Sequence, residues 1–247
     1  AIIALAAHHA AVLKPQVGLF EPYGYEGVRV ATELTAVARA VGMTVILDAK
    51  RGDIGTTAEG YARATLGPAP GYDADCVTVN PYMGLDTLEP YLAIAEKSDK
   101  GVLVLVRTSN PGARDMQDLK VGNAPLWART AEMIAPLAAR LKGSSGWSGL
   151  MAVVGATYPD EARSIRALLP ESLFLVPGYG AQGASAQEAV AGFVVKNGVR
   201  EGGVVSSSRA VLYPPAAQAA KTLTDWRAAI ADAMTSAKAE LRAACAA

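Results

Sequence analysis

Short apolar runs alternate with longer amphipathic segments along almost the whole chain, and this order limits the possible folds more than any other feature. Seven runs have the length and β-branched content of buried strands, at 11–20, 43–47, 74–80, 102–107, 150–156, 173–177 and 203–207. The segments between them predict helices at 24–41, 56–66, 86–97, 125–141, 160–169 and 186–197. We therefore expect an α/β fold built on a parallel sheet.

Two architectures have this alternation, the eight-stranded TIM barrel and the doubly wound open sheet. Seven strands are one short of a (β/α)8 barrel, and the segment 2–9 predicts a helix that would follow an earlier strand. We favour a TIM barrel whose first strand is missing from this sequence, because no GxGxxG motif follows the early strands. No linker-like segment divides the chain, so residues 1–247 should form a single βα-barrel domain, closed by a helix at 225–244.

The composition argues against several classes of partner. Lys plus Arg and Asp plus Glu each number 23, so no net field favours nucleic acid or an anionic membrane. No apolar run approaches the ~20 residues that span a bilayer, and no His or Cys cluster has metal-ligand spacing. The start of the sequence has no signal-peptide pattern. Cys76 and Cys245 lie far apart, which predicts reduced thiols in a cytoplasmic protein.

The run 43–47 is followed directly by acidic and basic side chains. Asp48 and Lys50 are two residues apart in an extended segment, so their side chains share one face. Asp53 follows on a turn where Gly52 permits a sharp bend. Charges of both signs crowded at a buried strand end are costly unless they have a use. Two interpretations remain: a catalytic charge cluster, or a structural ion pair with Asp53 capping the next helix.

Lys14 lies within an otherwise apolar strand, next to Pro15, which cannot donate a ladder hydrogen bond. A desolvated ammonium group is rarely left unpaired. The expected partner is Asp48 on the neighbouring strand, which would give a chain of alternating charges from Lys14 through Asp48 and Lys50 to Asp53. The alternative is that Lys14 extends its ammonium group to solvent at the edge of the sheet.

Polar side chains follow the later strands as well. In a βα barrel all of these strand ends gather on one face, the face that carries active sites. Polar side chains at four strand ends are candidates for this face. Because four separate strand ends carry them, an active site is favoured over a single structural ion pair. The side chains are Asn80, Ser109, Gln182 and Arg209.

The last two strand ends predict a phosphate site. A glycine-rich loop, residues 177–183 from Pro177 past Gln182, offers backbone N–H groups. Ser208 and Arg209 start the helix after the last strand and add a dipole and a fork of donors. TIM barrels frequently bind phosphate in these same two loops. The alternative is a simple turn and a surface arginine.

These motifs together resemble one known family. The pattern Asp48-x-Lys50-x-x-Asp53 is similar to the signature of the orotidine 5′-phosphate decarboxylases, and the run 47–57 resembles the branch common in mycobacteria and other bacteria. Further blocks match in order, and the resemblance covers most of the chain. The blocks are 14–16, 79–82, 107–112 and 177–183.

The resemblance implies a homodimeric βα barrel with shared active sites. It would convert the nucleotide orotidine 5′-monophosphate to UMP and CO₂ in pyrimidine biosynthesis, without a metal or cofactor. Lys14, Asp48 and Lys50 would form one subunit's charge network, and Lys50 would protonate C6 of the pyrimidine. Asp53 and Thr57 would serve the partner's site.

The remaining substrate contacts follow from the same resemblance. Ser109 matches the residue that contacts the pyrimidine ring, and Gln182 and Arg209 match the residues that hold the phosphate. We expect the rest of the substrate-binding surface to include Asn80, Pro177 and Ser208.

Two other functions remain open. A Mg²⁺-dependent 3-keto-gulonate-6-phosphate decarboxylase shares the Asp-x-Lys-x-x-Asp pattern, but Lys14 stands where that group has a carboxylate, and an ammonium group would repel Mg²⁺. The second open function is that of a catalytically silent barrel that binds phosphate. The sequence also departs from the family pattern twice: it starts too late to contain the aspartate that contacts the ribose, and Ser206 stands where the family often has Asn.

Overall fold

The computed structural model describes residues 2–180 and 182–246, and its centre is a parallel sheet. The strands of that sheet are β1 (Val12–Leu13), β2 (Thr44–Arg51), β3 (Cys76–Val79), β4 (Gly101–Arg107), β7 (Ser148–Val154), β8 (Ser172–Val176) and β11 (Gly203–Val205). Two antiparallel hairpins lie outside it, formed by β5 (Lys120–Val121) with β6 (Ala124–Pro125) and by β9 (Val194–Lys196) with β10 (Val199–Glu201).

Helices follow the strands and cover the outside of the sheet. They are α1 (Ile2–Ala6), α2 (Gly24–Ala40), α3 (Gly55–Leu66), α4 (Glu89–Ser98), α5 (Ala113–Gln117), α6 (Leu126–Ile134), α7 (Pro159–Leu168), α8 (Ala186–Ala189), α9 (Arg209–Leu212), α10 (Pro215–Ala219) and α11 (Leu223–Cys245). Short 3₁₀ segments lie at Val17–Leu19, Glu21–Tyr23, Leu85–Thr87 and Ala135–Leu141. Among the described residues, none of the helices combines the length and apolar character needed to cross a membrane.

The order of the strands decides between the two expected architectures. It is β1-β2-β3-β4-β7-β8-β11, and each neighbouring pair is parallel. Each strand is thus added beside the one before it, as in a TIM barrel, whereas a doubly wound sheet reverses its order at a switch point. The expected barrel architecture is confirmed and the doubly wound alternative is wrong. In the described residues β1 and β11 are the two edges, so the seven-stranded barrel is nearly closed.

Both faces of the sheet are buried, which explains the continuous apolar runs. On β4, Val102, Val104 and Val106 pack in the layer between sheet and helices, while Leu103 and Leu105 pack with the side chains inside the barrel. Each fully buried Val or Leu contributes about 1.5–3 kcal/mol to folding. The alternating side chains fix the register of the strands and so fix which residues reach the carboxyl end.

The first expected strand, 11–20, is wrong beyond its first residues. Only Val12–Leu13 pairs with β2, and Gln16 adds an isolated bridge to Asp48. Pro15 has no N–H to continue the ladder, and a 3₁₀ turn begins at Val17. The irregular stretch between these elements is what carries Lys14.

The helix expected at 186–197 is wrong beyond Ala189. Asn197 and Gly198 have φ of 54° and 78°, and they form the two-residue turn of the hairpin β9–β10. Asn-Gly favours this turn because both positions need positive φ. The helix expected at 125–141 is α-helical only up to Ile134, where α6 ends. The 3₁₀ segment that follows contains Pro136.

Candidate active site

β2 extends past its apolar run, so Asp48 and Lys50 lie within an irregular strand end rather than after the strand. The register with β3 shifts between Leu47 and Arg51, and Lys50 has a φ of 46°. Positive φ at a residue with a side chain costs about 1–3 kcal/mol, and such strain concentrates at functional sites. The bulge therefore sets the direction in which Lys50 leaves the barrel wall.

Asp48 is the centre of a charge cluster that we define as Lys14, Asp48 and Lys50. Lys14 Nζ lies 2.5 Å from Asp48 Oδ2, and Lys50 Nζ lies 2.6 Å from Asp48 Oδ1. Gln16 Nε2 donates to Oδ2 at 3.1 Å. The expected pairing of Lys14 with Asp48 is therefore present, and the alternative in which Lys14 extends to solvent is wrong, since its side chain is only 17% exposed.

Thr78 on β3 supports this cluster from behind. Its buried hydroxyl donates to Asp48 Oδ1 at 3.1 Å and accepts from the backbone N–H groups of Ala49 at 3.0 Å and Lys50 at 2.9 Å. One side chain thus holds both the carboxylate and the backbone bulge. Because the hydroxyl uses its donor and both acceptor sites here, an apolar side chain of the same shape cannot replace it.

Asp48, at the centre of the cluster, is ionised at neutral pH. Burial alone raises the pKa of Asp48, but the ammonium groups of Lys14 and Lys50 outweigh burial and hold that pKa below its ordinary value. The side chain of Asp48 is 8% exposed, whereas that of Lys50 is 45% exposed. The arrangement is therefore a fixed, buried anion that holds a cation at an open surface.

Asp53 does not join this cluster within the chain. Its Oδ1 accepts from the N–H of Ile54, and it forms no ion pair with any residue that the structure describes. Within one chain the alternating charges therefore run from Lys14 through Asp48 to Lys50 and do not reach Asp53. Asp53 also does not cap α3, whose capping position is Ile54. Thr57, on the first turn of α3, is exposed beside it.

Asn80 begins a turn close to the same strand end. Its side-chain oxygen accepts from the N–H of Tyr82 at 3.0 Å, and its own N–H donates to Arg51 O at 2.8 Å. A Cβ at Gly52 would lie 3.2 Å from Asn80 O, so the two turns pack tightly. The exposed side chain of Asn80 retains its NH₂ group for a ligand.

A cavity of about 580 Å³ lies at the ends of β4, β7 and β8. Ser109 and Gln182 both line it, although they are far apart in sequence, and the rest of the wall is formed by Pro111, Arg114, Thr157 and Tyr158. A Cβ at Gly178 would lie 3.0 Å from Gln182 Oε1 and 3.3 Å from Ser109 Cβ. The absence of a side chain at Gly178 therefore lets the two polar groups approach each other.

The glycine-rich loop follows β8 and leads from the half-buried Pro177 to the exposed Gln182. A Cβ at Gly180 would lie 3.7 Å from Ala210 Cβ, so the loop touches α9, the helix that starts with Arg209. Ser208 and Arg209 are exposed, and Arg209 has no ion pair or hydrogen bond to the described residues. With four residues α9 supplies little of the expected dipole, so the guanidinium group supplies the charge.

No His, Cys, Asp and Glu side chains gather in groups of three or more as a metal site requires, as far as the described ranges extend. The site residues instead form two groups. The charge cluster lies on β2 and on the irregular stretch after β1, and the cavity with the glycine-rich loop lies at the ends of the later strands.

Comparison with known proteins shows the family of the chain. A sequence model of the orotidine 5′-phosphate decarboxylase / HUMPS family matches residues 1–223. The chain belongs to the orotidine 5′-phosphate decarboxylase family. An orotidine 5′-phosphate decarboxylase from Rhodopirellula baltica is 40% identical over 205 residues, which cover 81% of this chain and 67% of that protein. One from Haloarcula marismortui is 44% identical over 214 residues, covering 86% of this chain and 71% of the relative.

Solved structures show the same family fold. OMP decarboxylase from Leishmania donovani has a TM-score of 0.72 at 33% identity, covering 96% of this chain and 84% of that one. UMP synthase from Leishmania donovani has a TM-score of 0.76 at 36% identity. The match covers 98% of this chain but only 48% of the UMP synthase chain, so this chain spans about half of that longer protein.

Two residues that contact Asp48 in this decarboxylase-family chain, Gln16 and Thr78, were not among the predicted site residues. Gln16 lies in the block 14–16 that carries the family resemblance, so its position was a usable signal. Thr78 gave no signal, because a threonine inside an apolar strand is ordinary. Its importance follows only from the contact with Asp48 and the bulge of β2.

Proposed function

We propose that this chain decarboxylates orotidine 5′-monophosphate to UMP and CO₂ without a metal or cofactor. The observation that carries the proposal is the charge cluster, in which the buried Asp48 holds the half-exposed ammonium group of Lys50 at the open end of the barrel. Membership of the family and the names of its relatives support the same reaction.

The chemistry requires a cation beside the reacting carbon. When the bond between C6 and the carboxylate breaks, the electron pair stays on a ring carbon that has no electron sink. The ammonium group of Lys50 stabilises this carbanion and then donates a proton to C6, which Lys50 regains from water. Asp48 disfavours the substrate carboxylate in the ground state, and this repulsion ends when CO₂ leaves. Lys14 keeps Asp48 ionised and in place.

The second group of residues binds the distant parts of the substrate. Ser109 contacts the pyrimidine ring, and Gln182 and Arg209 bind the phosphate. Support comes from the shared cavity of Ser109 and Gln182 and from the guanidinium group of Arg209, which pairs with none of the described residues and lies beside the adjacent loop. Binding energy from the remote phosphate can then be used at C6. Asn80, Pro177 and Ser208 line the rest of the substrate surface.

The proposal extends to a homodimer in which Asp53 and Thr57 complete the partner's site. Asp53 has no ionic partner among the described residues of its own chain, and exposed apolar side chains lie on its own turn and on the neighbouring turn after β3. Ile54 is 59% exposed, Tyr82 74% and Met83 43%. A second copy would cover this surface. The chain would act as a single domain in the cytoplasm, where Cys76 and Cys245 stay reduced.

The cluster also argues against a Mg²⁺-dependent reaction at this position. Lys14 Nζ lies 2.5 Å from Asp48 Oδ2, where a divalent cation would need a further oxygen ligand. An ammonium group there repels Mg²⁺. The reaction should therefore survive removal of divalent metal ions.

The test is turnover of orotidine 5′-monophosphate by the purified protein, with and without EDTA. We expect the absorbance of orotidine 5′-monophosphate to fall and UMP and CO₂ to form in equal amounts. EDTA should not change the rate of this reaction. If the nucleotide is not consumed, the proposed reaction is wrong. If EDTA abolishes turnover and Mg²⁺ restores it, the cofactor-free mechanism is wrong.

A further inference from the structure

Tyr179 ties the glycine-rich loop to the distant helix α11. Its ring is buried, and its hydroxyl donates to Glu240 Oε2 at 2.6 Å across 61 residues of sequence. Burial, together with the neighbouring carboxylate of Glu240, raises the pKa of Tyr179 to about 12. The hydroxyl therefore keeps the proton that it donates.

The loop is built around this tyrosine. Gly180 N–H donates to Ala184 O at 2.9 Å, and Gly183 N–H donates to Gly180 O at 2.8 Å. Gly178, Gly180 and Gly183 all have positive φ, so the backbone turns sharply and has few side chains to hold it. Tyr179 is buried beneath the loop, whereas Gln182 is exposed on it.

The anchor acts where the phosphate contacts lie. Gly178 borders Gln182 and Ser109, and Gly180 packs against Ala210, next to Arg209. Glu240 lies on α11, which also packs against α8, the helix that follows the loop, and against α9, the helix that carries Arg209. One helix thus contacts the supports of both phosphate-binding side chains.

This helix lies outside the part of the chain that identifies the family. The family model matches residues 1–223, whereas Glu240 lies near the end of α11. We infer that Tyr179 and Glu240 are positioning residues, whose hydrogen bond holds the glycine-rich loop so that Gln182 and Arg209 meet the substrate phosphate. The inference rests on the proposed function, and neither residue touches the substrate.

The first test compares Tyr179→Phe, Glu240→Ala and the double variant. We expect each to raise the Kd for UMP and the KM for orotidine 5′-monophosphate about tenfold, equivalent to about 1.4 kcal/mol, with kcat within about twofold of wild type. The double variant should bind UMP no more weakly than either single variant, because the two single substitutions remove the same hydrogen bond. Glu240→Gln keeps an acceptor and should bind UMP nearly as well as wild type. Asp232→Ala removes another exposed acid of α11 and is the matched control.

The second test does not depend on activity. Hydrogen exchange at the amides of Gly180, Gly183 and Ala184 should be faster in Tyr179→Phe and in Glu240→Ala, and unchanged in Asp232→Ala. Unchanged exchange in both variants would overturn the anchor, even if the wild-type chain neither binds UMP nor consumes the substrate. If the wild type does bind UMP, variants with wild-type affinity, or losses that add in the double variant, would overturn the positioning role.

Discussion

Replacing Thr78 with Val tests whether the bulge of β2 is held by one hydroxyl. Valine keeps the shape of threonine but leaves the N–H groups of Ala49 and Lys50 without their acceptor and removes a donor to Asp48. An orphaned buried donor costs about 1–3 kcal/mol. Since Ala49 and Lys50 are partly open to water, we expect a total loss of about 2–3 kcal/mol in the free energy of unfolding, or roughly 4–12 °C in Tm for a chain of this size.

The same substitution should impair catalysis, because Lys50 leaves the strand from this bulge. A displacement of about 1 Å can cost roughly a hundredfold, so we expect kcat to fall about 10–100-fold. Thr65→Val is the matched control: this threonine is equally buried, but its hydroxyl only donates to the helix carbonyl groups of Tyr61 and Ala62. Thr65→Val should lower the free energy of unfolding by less than about 1 kcal/mol and keep the wild-type kcat. Equal stability and equal kcat in the two variants, measured by urea unfolding and steady-state kinetics, would refute the role given to Thr78.

Three further predictions concern charge. Arg209→Ala should raise KM and lower kcat/KM roughly tenfold to several-hundredfold, because we propose that Arg209 binds the phosphate, while the exposed Arg227→Ala should change neither. Since the pKa of Asp48 is held below its ordinary 3.8, its ionised form stabilises the fold above about pH 4. In urea unfolding the difference between wild type and Asp48→Asn should therefore shrink as the pH falls below that value, and a constant difference would contradict the direction of the shift. Finally, Lys50→Ala and Asp53→Ala should each be nearly inactive, yet their refolded mixture should regain about a quarter of the sites, because an isologous dimer pairs one intact site with one doubly mutated site. Heterodimers without any gain would exclude a shared site.

The alternation of strands and helices was enough to predict a parallel sheet, because a sheet buried on both faces leaves a continuous apolar pattern in the sequence. The choice of the barrel over the doubly wound sheet also needed the lack of a GxGxxG motif after the early strands. The pairing of Lys14 with Asp48 was also predictable. A lysine inside an apolar segment needs an anion, and the parallel neighbour offers one at the matching depth.

Other parts of the site depend on tertiary contacts that leave no local pattern. The positive φ of Lys50 is carried by a lysine rather than a glycine, so nothing in the sequence announces it. The role of Thr78 exists only because β3 lies beside the bulge of β2. The hairpin at Asn197 and Gly198 is different, since Asn-Gly is a strong turn signal that the apolar periodicity of 186–197 outweighed in the prediction.

The most direct test of the central claim is the turnover of Lys50→Ala at saturating orotidine 5′-monophosphate, measured together with its Kd for UMP. We predict that UMP formation is abolished while UMP still binds within about threefold of the wild-type affinity, since in the proposed mechanism Lys50 acts on the carbanion and not on the phosphate. Lys97→Ala, at an exposed lysine of α4, should behave as wild type. Wild-type turnover by Lys50→Ala would contradict the account.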